Sequence, residues 1–388
     1  MTVTRFSQFL AILAITLLAT GCVSSTTAPP TLTPISPPTT VPTQTRTAEA
    51  QLASQIDDFM TALAKEDRFS GSILVAKEGQ VLISKGYGMA NLELDVPNTP
   101  QTKFRIGSIT KQFTAMAILQ LQQQGKLNVQ DPICQYIRDC PQAWQPITIH
   151  HLLTHTSGIK DYTSFPNFSD FGKQAMSPVE LINLFRDLPL EFTPGESWNY
   201  SNSGYILLGY IIEAVSGEPY GIFLLKNIFI PLQMEDTGYD NNHTILKNRA
   251  DGYFSSTANA DYFDQSVAYA AGGLYSTVED LFRWDQALYT DVLIPQALRV
   301  EMFTPFSPIP VSPSDAIPDG DISYGYGWRI GTQLGHPWTF HTGTGYGFHN
   351  LINRYPDDKV FIVLLGNRES AVLGDISREI AQMVFGEK

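Results

Sequence analysis

The spacing of apolar residues divides this chain into strand-like ends and a helical middle. From Gly71 to Tyr87, the run Ser72-Ile73-Leu74-Val75-Ala76, the pair Glu78-Gly79 and the run Val81-Leu82-Ile83 form the pattern of two strands joined by a tight turn. Between Ile109 and Gln124, and again between Gly204 and Val215, apolar residues recur at helical spacing, with Gly125 and Gly217 placed to end the two helices. Val360 to Leu365 is a continuous apolar run, as in a strand covered on both faces. From Ser370 onward, Ile376, Ile380, Met383 and Val384 stand at i, i+4, i+7 and i+8, the stripe of a closing amphipathic helix. Strands at both ends with helices and long Gly/Pro-rich loops between them imply an α/β (α+β) fold. One antiparallel sheet is completed by the two chain ends, with flanking helices and an inserted helical lobe. The cleft between sheet and lobe is the expected place for chemistry.

The N-terminus adds a compartment. Arg5 precedes an apolar stretch from Phe9 to Ala19 that is too short for a settled transmembrane helix, so residues 1–21 read as an export signal. The run Leu18-Ala19-Thr20-Gly21-Cys22 resembles the cleavage and lipidation box of bacterial lipoproteins, with Ala19 where Leu is more usual. On that resemblance Cys22 is lipidated and becomes the mature N-terminus. The protein is then exported across the cytoplasmic membrane and held at the cell envelope through its acyl chains. Residues 22–50, rich in Thr, Ser and Pro, cannot supply a packed core and read as a tether. Its reach is at most roughly 75 Å, at about 3.1 Å per residue. Residues 51–388 are then the catalytic domain. Cys134 and Cys140 either pair across a short loop, in a compartment where disulfides persist, or stand as two free buried thiols.

Composition narrows the classes. With 388 residues, 43% hydrophobic and 16% charged, the chain can bury a large core. A formal charge of −13 with no basic cluster excludes nucleic acid as a partner, because a polyanion is held by neutralising its phosphates. No phosphate loop, dinucleotide fingerprint or Gly-x-Ser-x-Gly elbow occurs, and no cofactor is expected. His151 and His155 have the i, i+4 spacing of zinc proteases, but Leu152 occupies the place of the essential Glu, so no metal site is assigned there.

Three short motifs carry candidate chemistry. Ser108-Ile109-Thr110-Lys111 stands at a helix start, where residues at i and i+3 share a face and the amine can take the hydroxyl proton. The helix N-terminus and burial both disfavour the ammonium form, pushing Lys111 toward useful base strength. Taken alone this motif is weak, since Ser at a helix start is ordinarily a cap. Tyr200-Ser201-Asn202 lies just ahead of the second helix: a Tyr200 phenol near Lys111 can relay protons, and the Asn202 amide can position a substrate amide. His341-Thr342-Gly343-Thr344 is a Gly-rich strand beside which a substrate carbonyl can lie. The backbone N–H groups of Thr344 and Ser108 are candidate oxyanion donors.

The three motifs, in this order, resemble the serine β-lactamase and penicillin-binding superfamily. The resemblance runs from about Ser70 to Asn367 and includes Phe104-Arg105-Ile106-Gly107-Ser108, His151 to Gly158 and Ala271 to Ser276. Tyr200-x-Asn202 makes it most similar to class C β-lactamases and the related DD-carboxypeptidases and esterases. The resemblance implies a β-lactamase-like fold and cleavage of an amide or ester, in a small molecule or a cell-wall peptide, through an acyl-Ser108 intermediate. Lys111 and Tyr200 would handle protons, and Asn202, His341, Thr342, Gly343 and Thr344 would bind substrate. His341 departs from the family's commoner Lys, which turns the expectation from an efficient β-lactamase toward a DD-peptidase or esterase. The competing reading is a penicillin-recognising or cell-wall-binding module with little turnover. Loops 162–176 and 307–324 are expected to line the cleft. If His341 captures a substrate carboxylate, acylation by such substrates should rise as pH falls through about 6.5.

Overall fold

The computed structural model describes residues 43–310, 319–369 and 371–386. The export-type stretch, Cys22 and the tether up to Pro42 lie outside them. Helix α1, Thr43–Lys65, begins inside the segment read as tether. Pro42 is the last proline before Pro97, so no proline interrupts this helix on its way from Thr43.

Strands β1 (Gly71–Lys77) and β2 (Gln80–Tyr87) form the expected hairpin. The C-terminal third supplies β3 (Ser307–Ile309), β4 (Ile322–Tyr324), β5 (Arg329–Gln333), β6 (His336–Gly345), β7 (Phe348–Tyr355) and β8 (Val360–Gly366). Among the described residues these make one 8-stranded sheet in the order β3-β4-β5-β6-β7-β8-β1-β2, with every pair antiparallel. The two chain ends meet where β1 pairs with β8, Gly71 opposite Gly366 and Lys77 opposite Val360.

The apolar run of β8 is explained by two covered faces. Val360, Ile362 and Leu364 pack with α1 and with the closing helix α6, Leu373–Phe385, through Ile56, Met60, Ile376 and Ile380. Phe361, Val363 and Leu365 point the other way, into the core of the inserted lobe. That lobe is organised by α2 (Thr110–Gln123), α3 (Asn202–Ser216), the kinked α4 (Gln265–Gly272) and α5 (Val278–Ala287), the last of which packs on β8 and β1. Each Leu or Ile fully buried between such layers stabilises the fold by about 1.5–3 kcal/mol. At the edge of the lobe Cys134 and Cys140 are joined in a disulfide, with Cα atoms 5.4 Å apart.

One contact between sheet and lobe positions everything that follows. Strand β6 runs against the Ile106–Ser108 turn so closely that a Cβ on Gly343 would fall 1.9 Å from the Ile106 carbonyl oxygen. Gly107, at φ +51°, faces it: a Cβ there would lie 3.0 Å from the Thr344 nitrogen. Asn350 on β7 stitches the two, its Nδ2 donating to Arg105 O at 2.9 Å and Gly343 O at 3.0 Å. Replacing Gly343 with Ala should therefore force turn and strand apart. The expected cost is about 1–3 kcal/mol, read as a lowered midpoint in thermal or urea unfolding.

Candidate active site

Ser108 sits in a 3₁₀ turn, Gly107–Ile109, that leads directly into α2 at Thr110. Lys111 lies in the first turn of α2 and is wholly buried. Its Nζ is 3.1 Å from Ser108 Oγ, 2.8 Å from Asn202 Oδ1 and 2.8 Å from Ala271 O. The last two are an amide oxygen and a backbone carbonyl, which can only accept. A neutral amine spends its two protons on them, and its lone pair is left facing the Ser108 hydroxyl. Desolvation lowers the Lys111 pKa to about 7; the Asp161 carboxylate opposes the shift and the Arg329 guanidinium adds to it.

The carbonyl that holds Lys111 is delivered by a distortion. Tyr269, inside α4, takes φ 38° and ψ −129°, which breaks the helical ladder two residues before Ala271. The next two carbonyls are thereby turned toward α2: Ala270 O accepts from Thr114 Oγ1 at 2.7 Å and Ala271 O accepts from Lys111. Positive φ at a bulky residue is a strained conformation, kept only where the surroundings enforce it.

Tyr200 lies in the extended segment before α3, its ring centroid 4.7 Å from Lys111 Nζ. Burial pushes its phenol well above the usual range, the nearby Ser108 hydroxyl acting in the opposite sense. These environments leave Lys111 able to accept a proton near neutrality and Tyr200 able to donate one. The histidine-rich segment buttresses this tyrosine. The His155 ring lies 4.3 Å from that of Tyr200, and its Nδ1 accepts from Ser201 N at 3.2 Å. Burial, reinforced by Lys111, His341 and Arg329, keeps His155 neutral.

Two residues expected to contact substrate have partners within the protein. His341 is buried, with its Nδ1 2.6 Å from Thr342 O and its Nε2 2.8 Å from the Tyr324 hydroxyl. Because a carbonyl only accepts, Nδ1 carries the proton and Nε2 accepts from Tyr324. Burial, then Arg329 and Lys111, hold its pKa well below the ordinary value. His341 thus links β6 to Tyr324 of β4 as a neutral imidazole, with no charge near neutrality to attract a carboxylate. Asn202 is also occupied by the protein. Its Oδ1 accepts from Lys111, and its Nδ2 donates to Asp161 Oδ2 at 3.2 Å and Thr163 Oγ1 at 3.2 Å. It holds the amine through Oδ1 while lining the cleft.

The open cleft in front of Ser108 has a volume of about 220 Å³. Of the motif residues, Ser108, Asn202 and Thr344 line it, whereas Lys111, Tyr200, His341, Thr342 and Gly343 do not. Loop residues Tyr162, Thr163 and Phe168 contribute as expected, but the described part of 307–324 does not; Phe263, Gln265 and Ala268 take that place. Sequence reasoning missed Asp161, whose Oδ1 accepts from Asn202 N at 3.1 Å and whose Oδ2 accepts from Thr163 Oγ1 at 2.6 Å. The signal was the Asp-x-Thr pattern of an Asx-turn at Asp161 and Thr163.

Residues 52–383 match the family described as Beta-lactamase. The chain is similar to PbpX of Bacillus subtilis (strain 168), provisionally named a penicillin-binding protein. The two are 32% identical over 329 residues, which cover 83% of this chain and 77% of that one. Among solved structures it is similar to the octameric penicillin-binding protein homologue from Pyrococcus abyssi, at 30% identity and TM-score 0.76, covering 86% of this chain and 78% of that one. It is also similar to a D-stereospecific amidohydrolase from Streptomyces sp., at 26% identity and TM-score 0.70, covering 87% and 99%.

The buried amine makes the pH dependence of this site predictable in sign. Below its pKa of about 7 Lys111 is an ammonium with no lone pair for Ser108, and above it the amine is free. The rate of covalent labelling of Ser108 by a fluorophosphonate is therefore expected to rise about tenfold per pH unit below 7 and to level off above it. A rate that is constant from acid to alkaline pH would contradict the assignment.

Proposed function

Because the chain belongs to the beta-lactamase family of serine hydrolases, we propose that it cleaves amide or ester bonds through an acyl-Ser108 intermediate, as a DD-peptidase or esterase rather than an efficient β-lactamase. The observation that carries this reading is the trapping of Lys111 between Asn202 Oδ1 and Ala271 O, with its remaining direction aimed at Ser108 Oγ.

In the proposed reaction Lys111 takes the Ser108 proton as Oγ attacks the substrate carbonyl. Charge developing on the carbonyl oxygen is met by the backbone N–H groups of Ser108 and Thr344, brought together by the close approach of β6 to the Ile106–Ser108 turn. Collapse of the tetrahedral intermediate expels the amine or alcohol, which receives a proton from Tyr200, and Lys111 returns one to the phenol. Water then attacks the acyl-enzyme with the same groups in reverse order. The penicillin-binding and D-stereospecific amidohydrolase names of the similar proteins support D-configured peptides as part of the substrate range. The neutral His341 supports placing β-lactams low in it. Activity at the cell envelope, through Cys22 and the tether, is part of the same proposal and rests on the N-terminal sequence.

A panel of a D-Ala-D-Ala peptide, a short-chain ester and a cephalosporin, run with the wild type and Ser108→Ala, tests the reading. Turnover of the peptide or the ester is expected, falling by about 10³-fold or more in the variant, since a lost nucleophile leaves only binding and oxyanion stabilisation. Intact mass after a fluorophosphonate should show one adduct, on Ser108. Stoichiometric labelling without turnover would point to a binding module instead.

A further inference from the structure

Among the residues that line the cleft, Arg105 alone carries a formal charge. It belongs to the short strand Phe104–Arg105, paired with Leu274–Ser276, and stands three positions before Ser108. Its Nε donates to Asp240 Oδ2 at 2.8 Å, while Nη1 of Arg249 donates to Asp240 Oδ1 at 3.2 Å. Asp240 is buried, so a single carboxylate holds two guanidinium groups and the cluster keeps one surplus positive charge. The terminal nitrogens of Arg105 make no hydrogen bond among the described residues. The pair with Asp240 orients this guanidinium without neutralising the cluster.

The surroundings limit what it can receive. The stacked rings of Phe263 and Tyr346, 4.0 Å apart, divide the cleft from a second cavity of about 500 Å³, and Arg105 borders both. The second cavity carries Glu93, Asp251 and Asp261, whose carboxylates repel an anion that passes beyond Arg105. An anionic group is thus favoured at Arg105 itself, within the cleft that holds Ser108. His341, buried and neutral, offers no competing charge.

We propose that Arg105 is the specificity-determining residue of the cleft and binds a carboxylate carried by the substrate away from the scissile carbonyl. The proposal deepens the acyl-Ser108 reading and rests on it. The planar fork of a guanidinium matches a carboxylate bidentately, which makes Arg105 a stereochemical reader as well as a charge. The carboxylate can belong to the acyl part or to the leaving group, and suitable esters separate the two.

Four esters form the test. The p-nitrophenyl monoester of glutaric acid is compared with the p-nitrophenyl ester of its monoamide, and the valerate ester of 4-hydroxybenzoate with that of 4-hydroxybenzamide. The wild type should show a higher kcat/KM, mainly through KM, for at least one carboxylate ester over its uncharged isostere; the pair that shows it identifies the side. Arg105→Gln should cut that ratio about tenfold or more, and Arg105→Lys, which keeps the charge but not the fork, by less. A wild type that cleaves the esters without preferring a carboxylate overturns the role of Arg105 and leaves the acyl-serine reading standing. So does a preference that survives both substitutions. A wild type that cleaves none of the four and takes no fluorophosphonate on Ser108 overturns both.

Discussion

The burial of one amine is the constraint on which the site depends. Lys111 has no solvent access, and its ligands come from separate parts of the lobe: Asn202 opens α3, and Ala271 O is released by the kink in α4. Helices α2, α3 and α4 must all be docked before the amine has its partners, so its surroundings are assembled only in the folded state. The arrangement works against stability. An unfolded lysine titrates at about 10.4, and the folded one near 7. Between those values the unfolded chain binds more protons, and the cost of holding this amine grows as pH falls through the window. Packing elsewhere, chiefly the two-sided cover of β8, offsets that cost.

Ser108, the proposed nucleophile, is placed by the sheet rather than by its own helix. The Ile106–Ser108 turn touches β6 through a position that accepts no side chain, and Asn350 ties the Arg105 and Gly343 carbonyls together from the next strand. A rigid eight-stranded sheet closed by both chain ends thus fixes the Ser108 and Thr344 backbones relative to each other, while the lobe supplies the proton-handling side chains. Sheet and lobe each hold half of the chemistry, and the cleft is where they meet.

Around Tyr200, His155, Tyr324 and His341 form an aromatic wall that carries no charge. Neutral imidazoles here are the consequence of burial beside Lys111 and Arg329, since a further cation would be both desolvated and repelled. Beside such a wall the Tyr200 phenol stays protonated. It also removes a charge from the place where a Lys at position 341 would supply one, so the cation facing the cleft is Arg105, from the same segment as the nucleophile.

Much of this was legible in the primary structure. The hairpin 71–87, the apolar run at 360–365 and the closing amphipathic helix are periodic signals, and periodicity survives without knowledge of neighbours; the Ser108–Lys111 pair is read the same way, because i and i+3 share a helix face wherever the helix lies. Composition did not reveal that the Thr-rich stretch after Pro42 is helical. What no local pattern could decide is where each polar side chain spends its hydrogen bonds. The sequence of amino acids alone determined which groups this protein has for the proposed acyl transfer. The tertiary structure decided that Asn202 serves Lys111, that His341 serves Tyr324 and that Arg105 faces the cleft, because partners brought together from distant segments, and the water they exclude, set the charge and direction of each group.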